Sequence, residues 1–368
     1  MLSKYFEIHL NITSGEVGGY EHFIRQVKEP ININNLKFSR FTKLLTKQKF
    51  IRKLVFFRLI WPDTDLVLPR ILFELLKENY DVVDVLENYN YSSFQAVLAK
   101  PLVDTKVAVM SWENIVMPAW RFSLRVLVNK RADAFRVPSI SAKRKLISEG
   151  VDEAKISYIP PCVDVDVFRP EKSNVKEMRG LSDNQVILFV GRLVRQKGLE
   201  YLIKSLPQII KTVPKAMLAI VGDGPFKAKL IRLSQELGVT EHVRFLGAYP
   251  YDRIQEAYQM ADVVVLPSIP TKVWSEQFGY VLIEAMACGK AVVGTRTGAI
   301  PEIIIDDVNG YLVPPYSSDS LALSISKLLL NPDKAKNMGK RGREMVIKKF
   351  SSSVVMRILS QFYKDLAC

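Results

Sequence analysis

The chain has 368 residues, 48% of them hydrophobic and 24% charged, enough for two domains with separate cores and too ordered a mixture for wholesale disorder. Its three cysteines and three histidines fall at no metal-ligand spacing, which argues against a disulfide-stapled secreted domain and a histidine metal centre and fits a reducing, cytoplasmic setting. A net charge of +14 suits nucleic acid, anionic lipid or a phosphorylated ligand without choosing among them.

Lys4, Glu7 and His9 interrupt the first twelve residues, so no secretory signal is expected there. No stretch approaches the roughly 18–20 apolar residues of a membrane span. Short apolar runs at 6–12, 81–86, 106–111, 186–191, 217–221, 243–246, 262–266 and 291–294 read as strands, and helical patterns separate most of them. That alternation predicts an α/β protein with parallel sheets. Gly15, Gly18 and Gly19 follow the first run and form either a loop facing a cleft or a plain turn. Residues 31–62 hold many Lys and Arg and no Asp or Glu, with Phe38, Phe41, Leu44 and Leu45 at near-helical spacing. Such a stretch suits an interfacial helix on anionic membrane, or a basic helix packed on its own domain. Pro160, Pro161 and Pro170 discourage helix and central strand and mark a boundary. We expect domains at 1–165 and 171–350, with a last helix in 351–368 packing back on the first half.

Besides the first glycine loop, three places carry chemistry. Residues 262–267 read as a buried strand ending in a turn, and 281–288 as a helix closed by Gly289. The backbone of Phe278, Gly279 and Tyr280 then sits at a helix start, where free N–H groups and the helix dipole favour phosphate. Glu276 lies in the adjoining loop and Glu284 inside the apolar helix, where a carboxylate needs partners: ligand hydroxyls, or a nearby Arg or Lys. Gly191-Arg192-Leu193 and Gln196-Lys197-Gly198 lie where a strand meets a helix, and the two cations can clamp a diphosphate. Gly222 and Gly224 make a tight turn after the 217–221 strand, under a nucleotide or as a connection alone. The triplets Asp63–Asp65 and Asp164–Asp166 sit beside prolines and read as decoys, not metal sites.

These motifs, G-R-L-x-x-Q-K-G (191–198), V-G-D-G-P (221–225), A-D-V-V-V-L-P-S (261–268), E-Q-F-G-Y-V-L-I-E-A-M-A-C-G (276–289) and T-G-A-I-P-E-I-I (297–304), resemble the family 4 retaining glycosyltransferases of the GT-B fold. The resemblance covers nearly all of the second domain and is thinner in the first. It implies two Rossmann-like domains facing across a cleft, with the C-terminal helix crossing back to the first. It further implies a UDP- or GDP-sugar donor as substrate, no cofactor and no metal, and a sugar or lipid-linked acceptor. By the resemblance, Arg192 and Lys197 hold the donor diphosphate, Glu276 the donor sugar, Glu284 the ribose, and Gly18 and Gly19 meet the donor from the other side. The family often carries a His after the strand at 107–111; here Trp112-Glu113-Asn114 stands there, and Glu113 or Asn114 is expected to take its place.

Three rivals stand beside this reading. A glycosidase using Glu276 and Glu284 as acid and base leaves the Arg192–Lys197 pair unexplained. A nucleotide-sugar-binding protein without activity fits the missing His. A nucleic-acid binder rests on charge alone, with no recognition module, so no nucleic-acid partner is expected.

Overall fold

The computed structural model describes residues 80–115, 122–171 and 174–368, together with Leu76 and the strands His9–Thr13 and Asn32–Leu36. These two strands, β1 and β2, pair in parallel from His9 opposite Asn32 to Thr13 opposite Leu36. The basic stretch therefore opens as a strand where a helix was expected, because β1 offers it a full ladder of backbone partners. Residues 37–62, the glycines at 15, 18 and 19, and the Asp63–Asp65 triplet lie outside the described residues.

The other described strands of the first domain form a parallel sheet in chain order: β3 (Val82–Leu86), β4 (Lys106–Met110), β5 (Ala134–Val137) and β6 (Ile156–Tyr158). Helices α1 (Tyr91–Ala99), α2 (Phe122–Arg131) and α3 (Ile140–Ser148) connect the strands. Val107, Val109, Phe135 and Val137 meet Ala96, Val128 and Leu146 in one core.

The second domain is a six-stranded parallel sheet ordered β12-β11-β10-β7-β8-β9. Its strands are β7 (Gln185–Val190), β8 (Ala216–Val221), β9 (Val243–Gly247), β10 (Val263–Leu266), β11 (Ala291–Thr295) and β12 (Gly310–Val313). Strand side chains alternate faces, so β7 feeds two cores at once. Ile187 and Phe189 pack with α5 (Leu199–Thr212), α6 (Lys227–Glu236) and α10 (Ser318–Leu329). Val186, Leu188 and Val190 pack with α7 (Ile254–Met260), α8 (Tyr280–Ala287) and α11 (Pro332–Lys349). The short helices α4 (Val175–Met178) and α9 (Ile300–Ile303) precede β7 and follow β11, respectively.

The order reverses between β7 and β10, so the loops leaving their carboxyl ends diverge and open a crevice. The linker is fastened to the second domain by Arg343, which donates to the carbonyls of Phe168 (3.1 Å), Val165 (3.4 Å) and Ala287. Asp164 closes its own turn by accepting from the backbone N–H groups of Asp166 (3.0 Å) and Val167 (3.3 Å). Helix α12 (Ser352–Ala367) returns to the first domain, where Val355 and Leu359 pack on Ile159 and the Tyr363 hydroxyl bonds the Asp84 carboxylate. The two sheets are thus tied at the back and face each other at their strand ends.

Candidate functional site

The loop after β7 crosses the end of β10. Gly198 (φ 66°) makes this possible, since a Cβ there would lie 1.9 Å from the Pro267 carbonyl oxygen. The crossing brings Lys197, at the end of a single 3₁₀ turn, to Glu276, 79 residues later. Lys197 Nζ donates to Glu276 Oε2 at 2.6 Å, and Ser268 Oγ donates to the same oxygen at 2.6 Å. Glu276, 6% exposed, is therefore doubly bonded and fixed through its carboxylate. Lys197 also lies 5.3 Å from the centroid of the Trp274 ring. An ammonium has three donors, so Lys197 retains capacity for a ligand oxygen while paired with Glu276. Arg192 stands exposed on the same loop.

The Gly222–Gly224 turn packs its backbone against that loop. Leu193 N donates to Asp223 O at 2.9 Å and Phe226 N to Leu193 O at 3.0 Å. Its glycines thus serve the close approach of two loops beneath the crevice. Gly191 N closes the same junction on Val221 O.

Gly279, with φ 102°, starts α8 in a conformation that other residues rarely adopt. The Phe278 side chain belongs to the core and packs on Phe350, so only its backbone can serve a ligand. Among the described residues, Glu284 pairs with neither Arg nor Lys. Its Oε1 accepts from Tyr251 at 3.0 Å and its Oε2 from the buried Tyr258 at 2.5 Å. Burial pushes its carboxyl up to about 7, against the pull of both phenols. Burial and Glu284 likewise hold the Tyr258 phenol well above its usual range. The expected ribose contact is therefore occupied on both oxygens by tyrosines, one immobile in the core and one, Tyr251, on an exposed turn.

The first domain supplies the opposite wall from the end of β4. Asn114 Nδ2 donates to the Glu276 carbonyl at 2.9 Å, and Ser275 Oγ to Asn114 Oδ1 at 2.7 Å. Glu113 Oε1 accepts from Gln277 Nε2 at 3.4 Å and from the Tyr89 hydroxyl at 3.2 Å. The Trp112 ring stacks on Tyr280 with centroids 6.1 Å apart. The Trp112–Asn114 segment thus meets the 275–280 loop across the domain boundary, which brings Glu113 beside Glu276. A second bridge joins the domains: Glu302 in α9 accepts from Ile140 N (2.7 Å) and Ser141 N (2.9 Å) at the start of α3.

Sequence reasoning missed Ser268, Gln277, Tyr251, Tyr258 and the capping role of Glu302. None has a spacing that signals its partner; each depends on a contact made by the fold. Among the described residues, no cluster of three or more His, Cys, Asp and Glu could hold a metal, and no helix is long and apolar enough to cross a membrane.

The glycosyl transferases group 1 family profile matches residues 171–345. The chain is 34% identical over 237 residues to a GDP-mannose-dependent alpha-(1-6)-phosphatidylinositol monomannoside mannosyltransferase of Mycolicibacterium smegmatis; the match takes in 63% of this chain but only 62% of that relative. It is 30% identical over 271 residues to the protein of the same description from Mycobacterium tuberculosis, covering 72% of this chain and 70% of that one. The fold matches that of HepE of Anabaena in complex with UDP, with a TM-score of 0.79, 20% identity, and coverage of 98% of this chain and 100% of that one.

Proposed function

The chain belongs to the group 1 glycosyl transferases, and from that premise we propose that it moves a hexose from a UDP- or GDP-hexose to an acceptor hydroxyl, with retention and without a metal. The observation that carries this reading is the Lys197–Glu276–Ser268 cluster at the β7/β10 crevice, with Arg192 on the same loop and Glu113 facing it from the other domain.

In this mechanism the bond between the sugar C1 and the diphosphate oxygen breaks first, and its electron pair leaves with the diphosphate. Arg192 and Lys197 neutralise that charge as it develops. The acceptor hydroxyl attacks C1 from the same face and passes its proton to the departing phosphate oxygen. Glu276, anchored by Ser268, accepts hydrogen bonds from the sugar hydroxyls, and the N–H groups at the start of α8 face the phosphates. Glu284 takes the ribose when Tyr251 yields Oε1; Tyr258, fully buried, stays in place.

The relatives' GDP-mannose donor and phosphatidylinositol-based acceptor support a mannosyl-type donor and a glycolipid acceptor here. The basic stretch 31–62 supports attachment to an anionic, cytoplasmic membrane face. A thermal-shift screen of UDP- and GDP-sugars identifies the donor, since a ligand bound to the folded state raises its apparent stability. Transfer with the stabilising donor, unchanged by a chelator and giving product of the donor's anomeric configuration by NMR, supports the reading. A donor-independent hydrolysis of sugar polymers overturns it. Co-sedimentation with anionic vesicles tests the membrane contact.

A further inference from the structure

Three consecutive residues at the end of β3, Glu87, Asn88 and Tyr89, reach in different directions, and each grips something. Glu87 turns toward β4. Its Oε1 accepts from Trp112 N at 2.7 Å and its Oε2 from Ser111 Oγ at 3.2 Å. Asn88 turns toward the helices. Its Nδ2 donates to Asn129 Oδ1 (2.8 Å) and to Glu149 Oε2 (3.0 Å), within a buried network where Arg125 and Lys145 also hold Glu149. Tyr89 runs out to the cleft, where its hydroxyl bonds Glu113.

Splitting neighbouring side chains this way forces the backbone of Glu87 to φ 58°, a left-handed conformation that glycine adopts freely and glutamate rarely. The backbone is locked on both sides, with Glu87 N donating to Met110 O at 2.7 Å and Ser93 Oγ to Glu87 O at 2.5 Å. A strained, buried acid held by this many contacts marks a place where position matters more than local comfort. Glu87 is 6% exposed and touches no cleft surface, yet it bonds the residue next to Glu113.

We propose that Glu87 is a positioning residue for sugar transfer: its carboxylate fixes the Ser111–Trp112 turn and thereby sets Trp112 on Tyr280 and Glu113 against Gln277 across the cleft. The inference rests on the transfer reaction proposed above. The carboxylate titrates in a crowded setting. Burial pushes it up to about 7; Glu113 adds to that push, while the Trp112 N–H, Ser111 and Lys145 oppose it. Arg125 and Glu149 lie in the neighbouring Asn88 network, and the Tyr89 hydroxyl bonds Glu113. Deprotonated, Glu87 accepts from both Trp112 and Ser111; protonated, it keeps at most a weakened bond to Trp112. The turn should therefore tighten as pH rises through 7.

The test compares wild type, Glu87→Gly and Glu87→Gln in the full chain, with UDP-glucose and GDP-mannose as probe donors. Glycine suits φ 58°, so Glu87→Gly removes the carboxylate without straining the backbone, and its melting temperature checks folding. Hydrogen exchange over residues 110–115 needs no substrate. It should quicken about tenfold or more in Glu87→Gly, the scale of one lost charged hydrogen bond. With the productive donor, kcat should fall by a similar factor of about ten, while UDP or GDP binding stays within about twofold, because the nucleotide lies in the second domain. Glu87→Gln still accepts from Trp112, so its kcat at pH 8 should stay within about threefold of wild type, and any rise in kcat through pH 7 should vanish. Wild-type exchange and kcat in Glu87→Gly overturn the proposal. So does a loss in Glu87→Gln at pH 8 as large as in Glu87→Gly, since the amide still accepts from the Trp112 N–H on which the positioning depends. If neither donor is turned over by wild type, the transfer reading fails, and the exchange measurement still decides whether Glu87 holds the turn.

Discussion

The two walls of the cleft are built in opposite ways. The second domain presents its charges on short loops at the β7/β10 switch point, with glycines that let the loops cross. Lys197 reaches Glu276 because Gly198 lets the chain pass under Pro267. The first domain presents Glu113 and Asn114 on a turn that has no glycine, held instead from beneath by the buried Glu87 carboxylate, which accepts from Ser111 and Trp112. A wall made from loop geometry can be read in a local motif. A wall made from long-range contacts can keep its role while its motif changes, which is how Trp112-Glu113-Asn114 can stand where a histidine is common.

The largest effect expected on this contrast comes from the second domain. Lys197→Ala should lower kcat by about 10²–10³, the scale of a lost donor to a developing oxyanion. It also leaves the buried Glu276 carboxylate with one donor fewer, so the melting temperature must be measured alongside. Glu276→Gln should cost about 10–100-fold in kcat/KM, since an amide holds both Lys197 and sugar hydroxyls less tightly. An effect of Glu113→Gln larger than either would reverse the proposed division of labour between the walls.

Glu284 offers a sharper probe. Its carboxyl is raised from 4.5 to about 7 in the fold, so the neutral form is favoured there. Its contribution to stability is then full below pH 4.5 and is lost as pH rises through 7. The span corresponds to about 3 kcal/mol at about 1.4 kcal/mol per pH unit. Glu284→Gln should flatten the fall in melting temperature between pH 5 and pH 8 relative to wild type. Ribose hydroxyls favour the charged form, so nucleoside diphosphate binding should release protons near pH 6.5 and tighten toward pH 8, which calorimetry in two buffers can detect. The smallest effect belongs to the second interdomain bridge. Glu302→Ala removes a carboxylate from the start of α3 and should lower stability by about 1 kcal/mol, read by denaturant unfolding.

Much of this architecture was legible in the sequence. All eight apolar runs singled out correspond to strands, within a residue or a few at the ends, because buried parallel strands are continuous in Val, Ile and Leu. The strands β2, β5, β6 and β12 escaped notice. Asn32–Leu36 is mostly asparagine, and Ala134–Val137, Ile156–Tyr158 and Gly310–Val313 are three or four residues long, too short to show a period. In the candidate site, Arg192 and Lys197 stand out in the sequence because each flanks a glycine in the loop after a strand, and Glu276 because it lies just before a helix start. The tyrosine partners of Glu284 do not, since 26 and 33 residues separate them from it and only the packing of α7 and the turn before it on α8 brings them near. Glu87 was invisible for a related reason: nothing in Leu86-Glu87-Asn88 announces a left-handed residue.

The division between the walls is tested most directly by calorimetric titration of UDP and GDP into wild type, the Arg192→Ala/Lys197→Ala double variant and Glu113→Ala. The account predicts that the double variant loses about 100-fold or more in affinity, near 1.4 kcal/mol or more for each cation, while Glu113→Ala binds within about twofold of wild type. Undiminished binding by the double variant, or an equal loss in Glu113→Ala, would contradict it.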